Sequence, residues 1–194
     1  MKIIILGSGN VGIELAKYLV NAGHAVTLVD NASEDLSQAG SRLDLRVVIG
    51  NPASPTVLRN AGAENTELLV AATPDDEINI TACSVGAILF RIPRKIASIR
   101  SIDYLREADG LFGSNAVPID HVISPEHIIT DDICDLIELP GTSAVGSCFN
   151  GRVLVAAAKV AIGGKLTGSS VEKFESFDGK ATALAIYRQG KYVK

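Results

Sequence analysis

Three glycines and one acid are the residues of this chain whose spacing points most directly to chemistry. Gly7, Gly9 and Gly12 form a G-x-G-x-x-G pattern directly after the apolar run Ile3–Leu6. In a strand–loop–helix context, the first glycine allows a tight turn, the second lets a pyrophosphate approach bare backbone, and the third lets the helix pack on the strand. The helix N-terminus offers free N–H groups and positive dipole to phosphates. Asp30 lies 18 residues after Gly12, near the spacing at which a carboxylate binds the adenosine ribose. The pattern predicts dinucleotide binding; the alternative is a glycine turn used only for packing.

The elements that must position these residues alternate between strands and helices up to about residue 123. Continuous apolar runs are typical of parallel strands that are covered on both faces. Ser-Pro pairs at Pro55 and Pro125 predict helix starts, and so does the segment Thr73–Glu77. We predict an α/β fold, a Rossmann-like doubly wound parallel sheet that binds its ligand at the carboxyl ends of the strands. The expected strands are Lys2–Leu6, Ala25–Val29, Arg46–Val48, Leu68–Ala71, Lys95–Ile99 and His121–Ile123.

The pattern changes near residue 139, where Leu139-Pro140-Gly141 ends the helix that begins at Pro125. An Asn150-Gly151 turn between two strand-like runs, 144–149 and 152–160, predicts a β-hairpin. Ser169 and Glu172 predict the capping box of a short helix, and a second hairpin is expected from runs 181–187 and 191–194. We therefore predict a nucleotide-binding domain at 1–124, a linking helix at 125–139 and part of a small α+β domain at 140–194. Because the last strand is cut off, we expect a piece of a longer protein.

Composition excludes several classes of function. The net charge of −4 supplies no basic stripe for nucleic acid. The three cysteines, Cys83, Cys134 and Cys148, are far apart and predict neither a zinc site nor a disulfide framework. No apolar run approaches the ~18 residues of a membrane span. We expect a soluble chain with reduced cysteines in the cytosol.

Beyond the glycine loop, several stretches resemble one family, that of the cytosolic, nucleotide-binding subunits of Trk potassium uptake systems (TrkA), which carry the domain called KTN or RCK. The resemblance begins at Met1–Gly12 and continues through Asp44–Val48, Val57–Ala63 and Ala71–Asn79. Its most specific stretch is Ala116–Glu126, which ordinary dehydrogenases lack, as they lack the Thr-x-x-Asp-Glu-x-Asn string. After residue 141 the chain resembles the first part of the family's small C-terminal domain.

The resemblance implies a regulator that is not an enzyme. In the family, NAD(H) or ATP/ADP binds the glycine-loop domain, and the protein assembles as a homo-oligomer, a dimer or ring, on a membrane-embedded Trk-type channel subunit. We expect such a protein at the inner face of the cell membrane, without membrane insertion and without nucleic acid. The carried-over site comprises Gly7, Ser8, Gly9, Asn10, Val11 and Gly12 for phosphates, Asp30 and Asn31 for the ribose, and Asn51, Ala72, Thr73 and the candidate phosphate cation Arg100 around them. No metal ligand is included.

Two positions depart from the family pattern. Ser98 stands where relatives tend to carry an arginine, which removes one candidate phosphate cation. Asn51 stands where many relatives carry an aspartate; it still offers hydrogen bonds to adenine or ribose but no charge. Both changes put affinity and ligand preference in doubt. Asp30 favours a free ribose 2′-hydroxyl, and therefore NAD(H) or ATP/ADP over NADP.

The remaining polar and apolar clusters have plain interpretations. Asp75, Asp76 and Glu77 are interpreted as capping and dipole-compensating residues, the alternative being groups that face the ligand. Glu126 is interpreted as a helix-start carboxylate, although some relatives use this acid for a divalent cation between subunits. His121 and His127 lack metal-ligand spacing, which indicates one packed and one surface histidine. The apolar stripe Ile128, Ile129, Ile133, Leu136 and Ile137 fits either a core or an interface between subunits.

A second function class is an NAD-dependent oxidoreductase. His121 with Asp120 is the one acid/base pair that it could use, and His121 is embedded in an expected strand. The ~55 residues after 140 are also few for a substrate domain. The sequence therefore favours the regulatory module.

Overall fold

The computed structural model describes residues 1–31, 33–113, 116–148, 152–164, 167–168, 182–189 and 191–193. It divides into two compact units, Met1–Ile129 and Thr130–Lys194. No helix in the described part of the chain is both long and apolar enough to cross a membrane.

The first unit is built on a six-stranded sheet in which all neighbouring strands are parallel. Numbered in chain order, the strands lie side by side as third, second, first, fourth, fifth and sixth, so the strand order reverses between the first and the fourth. This is the predicted doubly wound arrangement, and each predicted strand agrees with the structure to within one residue at either end. The strands are β1 (Lys2–Leu6), β2 (Ala25–Asp30), β3 (Arg46–Ile49), β4 (Leu68–Ala71), β5 (Arg94–Ser98) and β6 (His121–Ile123).

Helices cover both faces of this sheet, and β1 shows why its sequence is apolar throughout. Ile3 and Ile5 pack in one buried cluster with the first two helices, whereas Ile4 and Leu6 pack in the other with the third and fourth. Alternate side chains of one strand therefore fill two cores, each shielded from water. The helices are α1 (Asn10–Asn21), α2 (Ser33–Arg42), α3 (Pro55–Asn60), α4 (Asp76–Phe90), α5 (Ile102–Arg106), α6 (Ala108–Leu111) and α7 (Pro125–Glu138), with a short 3-10 turn at Ala63–Asn65.

Helix starts agree with the sequence, with two differences. Proline occupies the first position of α3 and α7, as predicted, but Ser54 makes no side-chain cap hydrogen bond. The third predicted helix begins at Asp76, later than the Thr73 start of the predicted segment, because Asp75 is the residue that caps it.

The second unit contains two antiparallel pairs. Strands β7 (Thr142–Cys148) and β8 (Val153–Ala158) pair with Cys148 opposite Val153, which confirms the first hairpin. Strands β9 (Ile186–Arg188) and β10 (Lys191–Val193) confirm the second pairing. Of the first predicted run, residues 182–185 lie outside β9, which instead extends one residue further, to Arg188. The Asn150-Gly151 turn and the capping box at Ser169 and Glu172 lie outside the described residues.

Candidate nucleotide-binding site

The loop between β1 and α1 is held in place by two of its three glycines. Gly7 has φ of +103°, and a Cβ there would lie 2.5 Å from the carbonyl oxygen of Ala72. A Cβ at Gly12 would overlap the carbonyl oxygen of Gly7. Left-handed backbone and such close approaches both exclude ordinary side chains. The fold itself therefore requires glycine at these two positions.

Gly9 is different, because nothing in the described protein needs a glycine there. Its φ of −68° and ψ of −178° are open to any residue. A Cβ at Gly9 would meet no atom within 4 Å among the described residues. The space beside Gly9 is therefore open, and the residue leaves bare backbone exposed at the N-cap of α1.

The start of α1 favours an anion in that space. The first turn of an α-helix has backbone N–H groups without intrahelical acceptors, and the helix dipole is positive at this end. The first turn of this helix carries no acidic residue that would compensate the dipole. A cleft of about 390 Å³ opens along the loop, with Ser8, Gly9 and Asn10 in its wall. Farther along lie Arg42 and Lys17, and the Lys17 ammonium is paired with Glu14, which also lines the cleft. Phosphate oxygens fit the chemistry of the wall that the glycine loop forms.

Asp30, the last residue of β2, contacts the loop directly. Its Oδ2 accepts a hydrogen bond of 2.5 Å from the backbone N–H of Ser8 and one of 2.8 Å from the Ser8 hydroxyl. Ser8 is itself 7% exposed, so these donors lie at the rim of the core. The sequence pattern predicted that Asp30 and the glycine loop belong to one site, and in the structure they are in contact. Two donors from one residue fix the position of the carboxylate.

Ala72 and Thr73 follow β4 and lie beside the loop, since Gly7 packs on the peptide between them. Thr73 is 5% exposed and is bound to a residue of α4, Asn79. The backbone N–H and the hydroxyl of Thr73 donate to Asn79 Oδ1 at 3.0 and 2.7 Å. Asn79 Nδ2 donates to the carbonyl oxygens of Thr73 at 3.0 Å and of Ser98 at 2.9 Å. The carboxyl ends of β4 and β5 are therefore joined through one side chain.

The three acids at the start of α4 have partners within the fold. Asp75 Oδ1 accepts from the backbone N–H of Ile78 at 2.9 Å, which confirms the capping interpretation. The Asp76 carboxylate is 8% exposed and accepts from the backbone N–H groups of residues 100 and 101, at 3.0 and 2.8 Å. Glu77 accepts from the Tyr104 hydroxyl at 3.0 Å, and this hydrogen bond raises the pKa of Tyr104. These acids stabilise the turn around the site.

Arg100 lies apart from the glycine loop. It follows β5, which is two strands from β1, a separation of about 10 Å at the usual strand spacing. Its Nε is 3.3 Å from Glu126 Oε1 in the first turn of α7, and both side chains are about half exposed. The structure gives the predicted phosphate cation a carboxylate partner and does not bring it to the loop.

The two candidate asparagines outside the glycine loop lie near the end of β2. Asn31 is exposed directly after Asp30. Asn51 follows β3 and folds its side chain onto its own turn, where Oδ1 accepts from the backbone N–H of Ala53 at 2.9 Å. The preceding residue, Gly50, donates to the Asp30 carbonyl oxygen at 2.9 Å. Both asparagines therefore lie on the Asp30 side of the loop.

The candidate acid/base pair of the oxidoreductase hypothesis lies elsewhere. His121 begins β6, three strands and about 14 Å from β1. Asp120 accepts from the Lys95 backbone N–H at 2.6 Å and lies 2.9 Å from the Lys95 ammonium, which is 7% exposed. Both His121 and His127 are exposed, so the expectation of one packed histidine is wrong; the former lies on the edge strand of the sheet. No group of metal-ligating side chains occurs among the described residues.

With this geometry in place, comparison with known proteins identifies the fold. The family model of the TrkA-N domain matches residues 3–125, which is most of the chain. The chain belongs to the TrkA-N family. It is similar to the Trk system potassium uptake protein TrkA of Haemophilus influenzae, with 45% identity over 196 residues that cover 100% of the chain and 43% of that protein. It is also similar to a TrkA homolog of Methanothermobacter thermautotrophicus, with 33% identity over 193 residues, 100% of the chain and 85% of that protein. The chain thus spans less than half of the Haemophilus protein.

Solved structures share the same domain fold. The TrkA-N domain of the inner membrane protein ybaL from Escherichia coli matches with a TM-score of 0.61 and 17% identity, over 70% of this chain and 96% of that one. The GsuK channel bound to NAD matches with a TM-score of 0.62 and 16% identity, over 77% of this chain and 25% of that one. At these identities the likeness shows a common architecture.

Within this TrkA-N domain, Asn79 and Asp76 are the polar residues whose contacts sequence reasoning did not find. The sequence did contain a signal for both residues, because both belong to the Thr-x-x-Asp-Glu-x-Asn string that resembles the family pattern. A fully buried asparagine on a helix that faces the sheet needs several partners. Those partners lie on strands remote in sequence and become evident once the sheet order is known.

Proposed function

We propose that this TrkA-N domain binds NAD(H) or ATP/ADP and serves as the nucleotide-sensing, regulatory part of a Trk-type potassium uptake system. The observation that carries the proposal is Gly9. Neither the backbone conformation nor the packing of the fold requires glycine there, and a Cβ would point into open space. Bare backbone at a helix N-terminus is useful where a phosphate must come close.

The class of nucleotide follows from Asp30. Its carboxylate, fixed by two hydrogen bonds from Ser8, accepts hydrogen bonds from ribose hydroxyls and repels a 2′-phosphate. NAD(H) and ATP/ADP are therefore the proposed ligands, in preference to NADP. Similar solved structures contain nucleotides of this class: one is the GsuK channel bound to NAD, and another is a Kef C-terminal domain of Shewanella denitrificans in AMP-bound form.

The proposed role is regulatory and not catalytic. The candidate acid/base residue His121 lies on the far edge strand, and Asp120 is bound to Lys95. Curated relatives are named as potassium uptake proteins. A sensor requires that the nucleotide bind two states of the assembly with different affinity. A nucleotide that binds both states equally does not change their populations. A coupling of ~1–3 kcal/mol suffices to bias a gate without covalent chemistry.

The proposed partners are a membrane-embedded Trk-type channel subunit and further copies of this chain, with the protein at the cytoplasmic face of the membrane. The relatives' name supports the first partner. The apolar stripe of α7 supports an assembly, because all five of its side chains are between 41% and 72% exposed. Exposed apolar stripes of this kind are typical of protein interfaces.

Thermal unfolding with added nucleotide tests the ligand. NAD, NADH, ADP and ATP are each added in excess, with NADP as the discriminating compound. At 100 times its dissociation constant a ligand adds about 2.7 kcal/mol to the free energy of unfolding, which raises the melting temperature by about 5–10 °C. The Asp30→Ala variant should lose most of this shift. Should none of the four nucleotides move the transition, the proposal is wrong.

A further inference from the structure

Asn79 is a fully buried polar side chain at the edge of the sheet where the nucleotide is proposed to bind. It is 0% exposed, and its amide makes four hydrogen bonds of 2.7 to 3.0 Å. Three of the four engage the polar atoms of a single residue, Thr73: its backbone N–H, its carbonyl oxygen and its hydroxyl. The fourth reaches the carbonyl oxygen of Ser98 at the end of β5.

The residue that Asn79 holds lies directly against the glycine loop. A Cβ built on Gly7 would come within 2.9 Å of the Thr73 nitrogen and 2.5 Å of the Ala72 oxygen. The loop therefore packs on the Ala72–Thr73 peptide with no space left between them. Because the two are in contact, a shift of this peptide displaces Gly7, and with it the backbone that leads to Gly9 and α1.

From these contacts we propose that Asn79 is a positioning residue for nucleotide binding. It fixes the Ala72–Thr73 peptide on which the glycine loop rests, so that the amides at the start of α1 face the phosphates. The inference rests on the proposed function, because it concerns the affinity of that site. Asn79 does not contact the ligand; it acts through the peptide after β4.

Only an amide meets the hydrogen-bonding requirement at this position. Oδ1 accepts from two groups of Thr73, while Nδ2 donates to two carbonyl oxygens on different strands. An aspartate of the same shape keeps both acceptor contacts and loses both donors. The Asn79→Asp variant therefore releases the carbonyl groups of Thr73 and Ser98 without removing volume.

The experiment compares affinity with stability in variants of the full chain. Asn79→Asp and the smaller, uncharged Asn79→Ser are measured for NAD and ADP binding by calorimetry at 10 °C, and for melting temperature. Thr66→Val is the matched control, since Thr66 is also a buried polar residue (7% exposed) whose hydroxyl makes one hydrogen bond, but it precedes β4 at the opposite edge of the sheet. All three variants should melt at lower temperature than the wild type.

The expected result is a split between the two measurements. Both Asn79 variants should bind NAD or ADP at least tenfold more weakly, while Thr66→Val binds with the affinity of the wild type. If folded Asn79→Asp retains the wild-type affinity and only melts earlier, Asn79 is a structural residue and the inference is wrong. A wild-type protein that binds neither nucleotide contradicts the proposed function, which is a different outcome.

Hydrogen exchange on the wild type gives a test that needs no variant. Nucleotide binding should slow exchange of the Thr73 backbone N–H, which donates to Asn79, by at least tenfold. The Thr66 backbone N–H, which donates to the Ala63 carbonyl oxygen at 3.2 Å, should not respond. Equal slowing of both groups would indicate global stabilisation and would contradict a local positioning role.

Discussion

Replacement of Gly9 by alanine should separate nucleotide binding from folding. The new Cβ meets no described atom within 4 Å, and the backbone angles suit any residue. Alanine reduces the conformational entropy of the unfolded chain, which stabilises by about 0.4–1 kcal/mol, and it is a poorer N-cap, which costs a similar amount. The free energy of unfolding should therefore stay within about 1 kcal/mol of the wild type.

Binding should change much more, because the methyl group occupies the open space where phosphate oxygens are proposed to lie. A hydrogen bond to a charged group contributes about 1.5–3 kcal/mol, so loss of one such contact between a backbone N–H and a phosphate lowers affinity by about 10- to 150-fold. Calorimetric titration with NAD or ADP measures this loss, and urea unfolding measures stability on the same preparation.

Substitutions at two further glycines provide the comparison for Gly9→Ala. Gly7→Ala places a Cβ 2.5 Å from the Ala72 oxygen at φ of +103°, which should destabilise by about 2–5 kcal/mol through strain and overpacking together. Gly110→Ala in α6 is the matched control, because its Cβ also meets nothing within 4 Å and its φ is not left-handed. It should change neither affinity nor fold. The reasoning is refuted if Gly9→Ala binds nucleotide as the wild type does, or if it unfolds as readily as Gly7→Ala.

Three other substitutions or reagents test single contacts. Asp76→Ala leaves two backbone N–H groups after β5 without their acceptor and should destabilise by about 1–3 kcal/mol, measured by urea unfolding. Burial raises the pKa of Cys83 to about 12, so iodoacetamide at pH 8 should alkylate the two exposed cysteines and spare Cys83 until the protein unfolds; a third adduct on the folded protein by intact mass would contradict this. Desolvation raises the pKa of Asp120, but the hydrogen bonds and charge of Lys95 outweigh it and hold that pKa below 3.8. The stability that Asp120 contributes should therefore be present near neutral pH and lost as the pH falls below about 4, whereas Asp120→Asn should show a smaller loss across the same range.

The centre of the sheet could be predicted from sequence because its strands are apolar on both faces. In β1 and β4 every residue from Ile3 to Leu6 and from Leu69 to Ala71 is buried, so an uninterrupted apolar run is the pattern to expect. Polar residues and glycines mark where these runs end. The first hairpin of the second unit was predicted differently, from the Asn150-Gly151 turn signal between two strand-like runs. β2 and β3 each extend one residue further than predicted, because Asp30 and Ile49 continue the ladder between them.

The contacts of the site were less accessible to prediction, because they join residues far apart in sequence. The closeness of Asp30 to Ser8 follows from the parallel pairing of β1 with β2, which the motif implies. The direction of the Arg100 side chain depends on Glu126, which lies on a helix after β6. Nothing local to Arg100 indicates that partner. The same holds for the buried ammonium of Lys95, whose carboxylate partner comes from the next strand along the sheet.

The starts of α1 and α4 lie at the same edge of the sheet and differ in charge. The first turn of α1 has no acid, whereas α4 begins with a capping aspartate and two further acids. A nucleotide that approaches this edge meets attraction on one side and repulsion on the other. The phosphates are thus favoured at α1, between the proposed ribose position at Asp30 on the β2 side and the acids of α4 on the β4 side, so that the orientation of an asymmetric ligand is set before any base is recognised. Added salt should weaken this selection, since exposed charges are screened within about 8–10 Å.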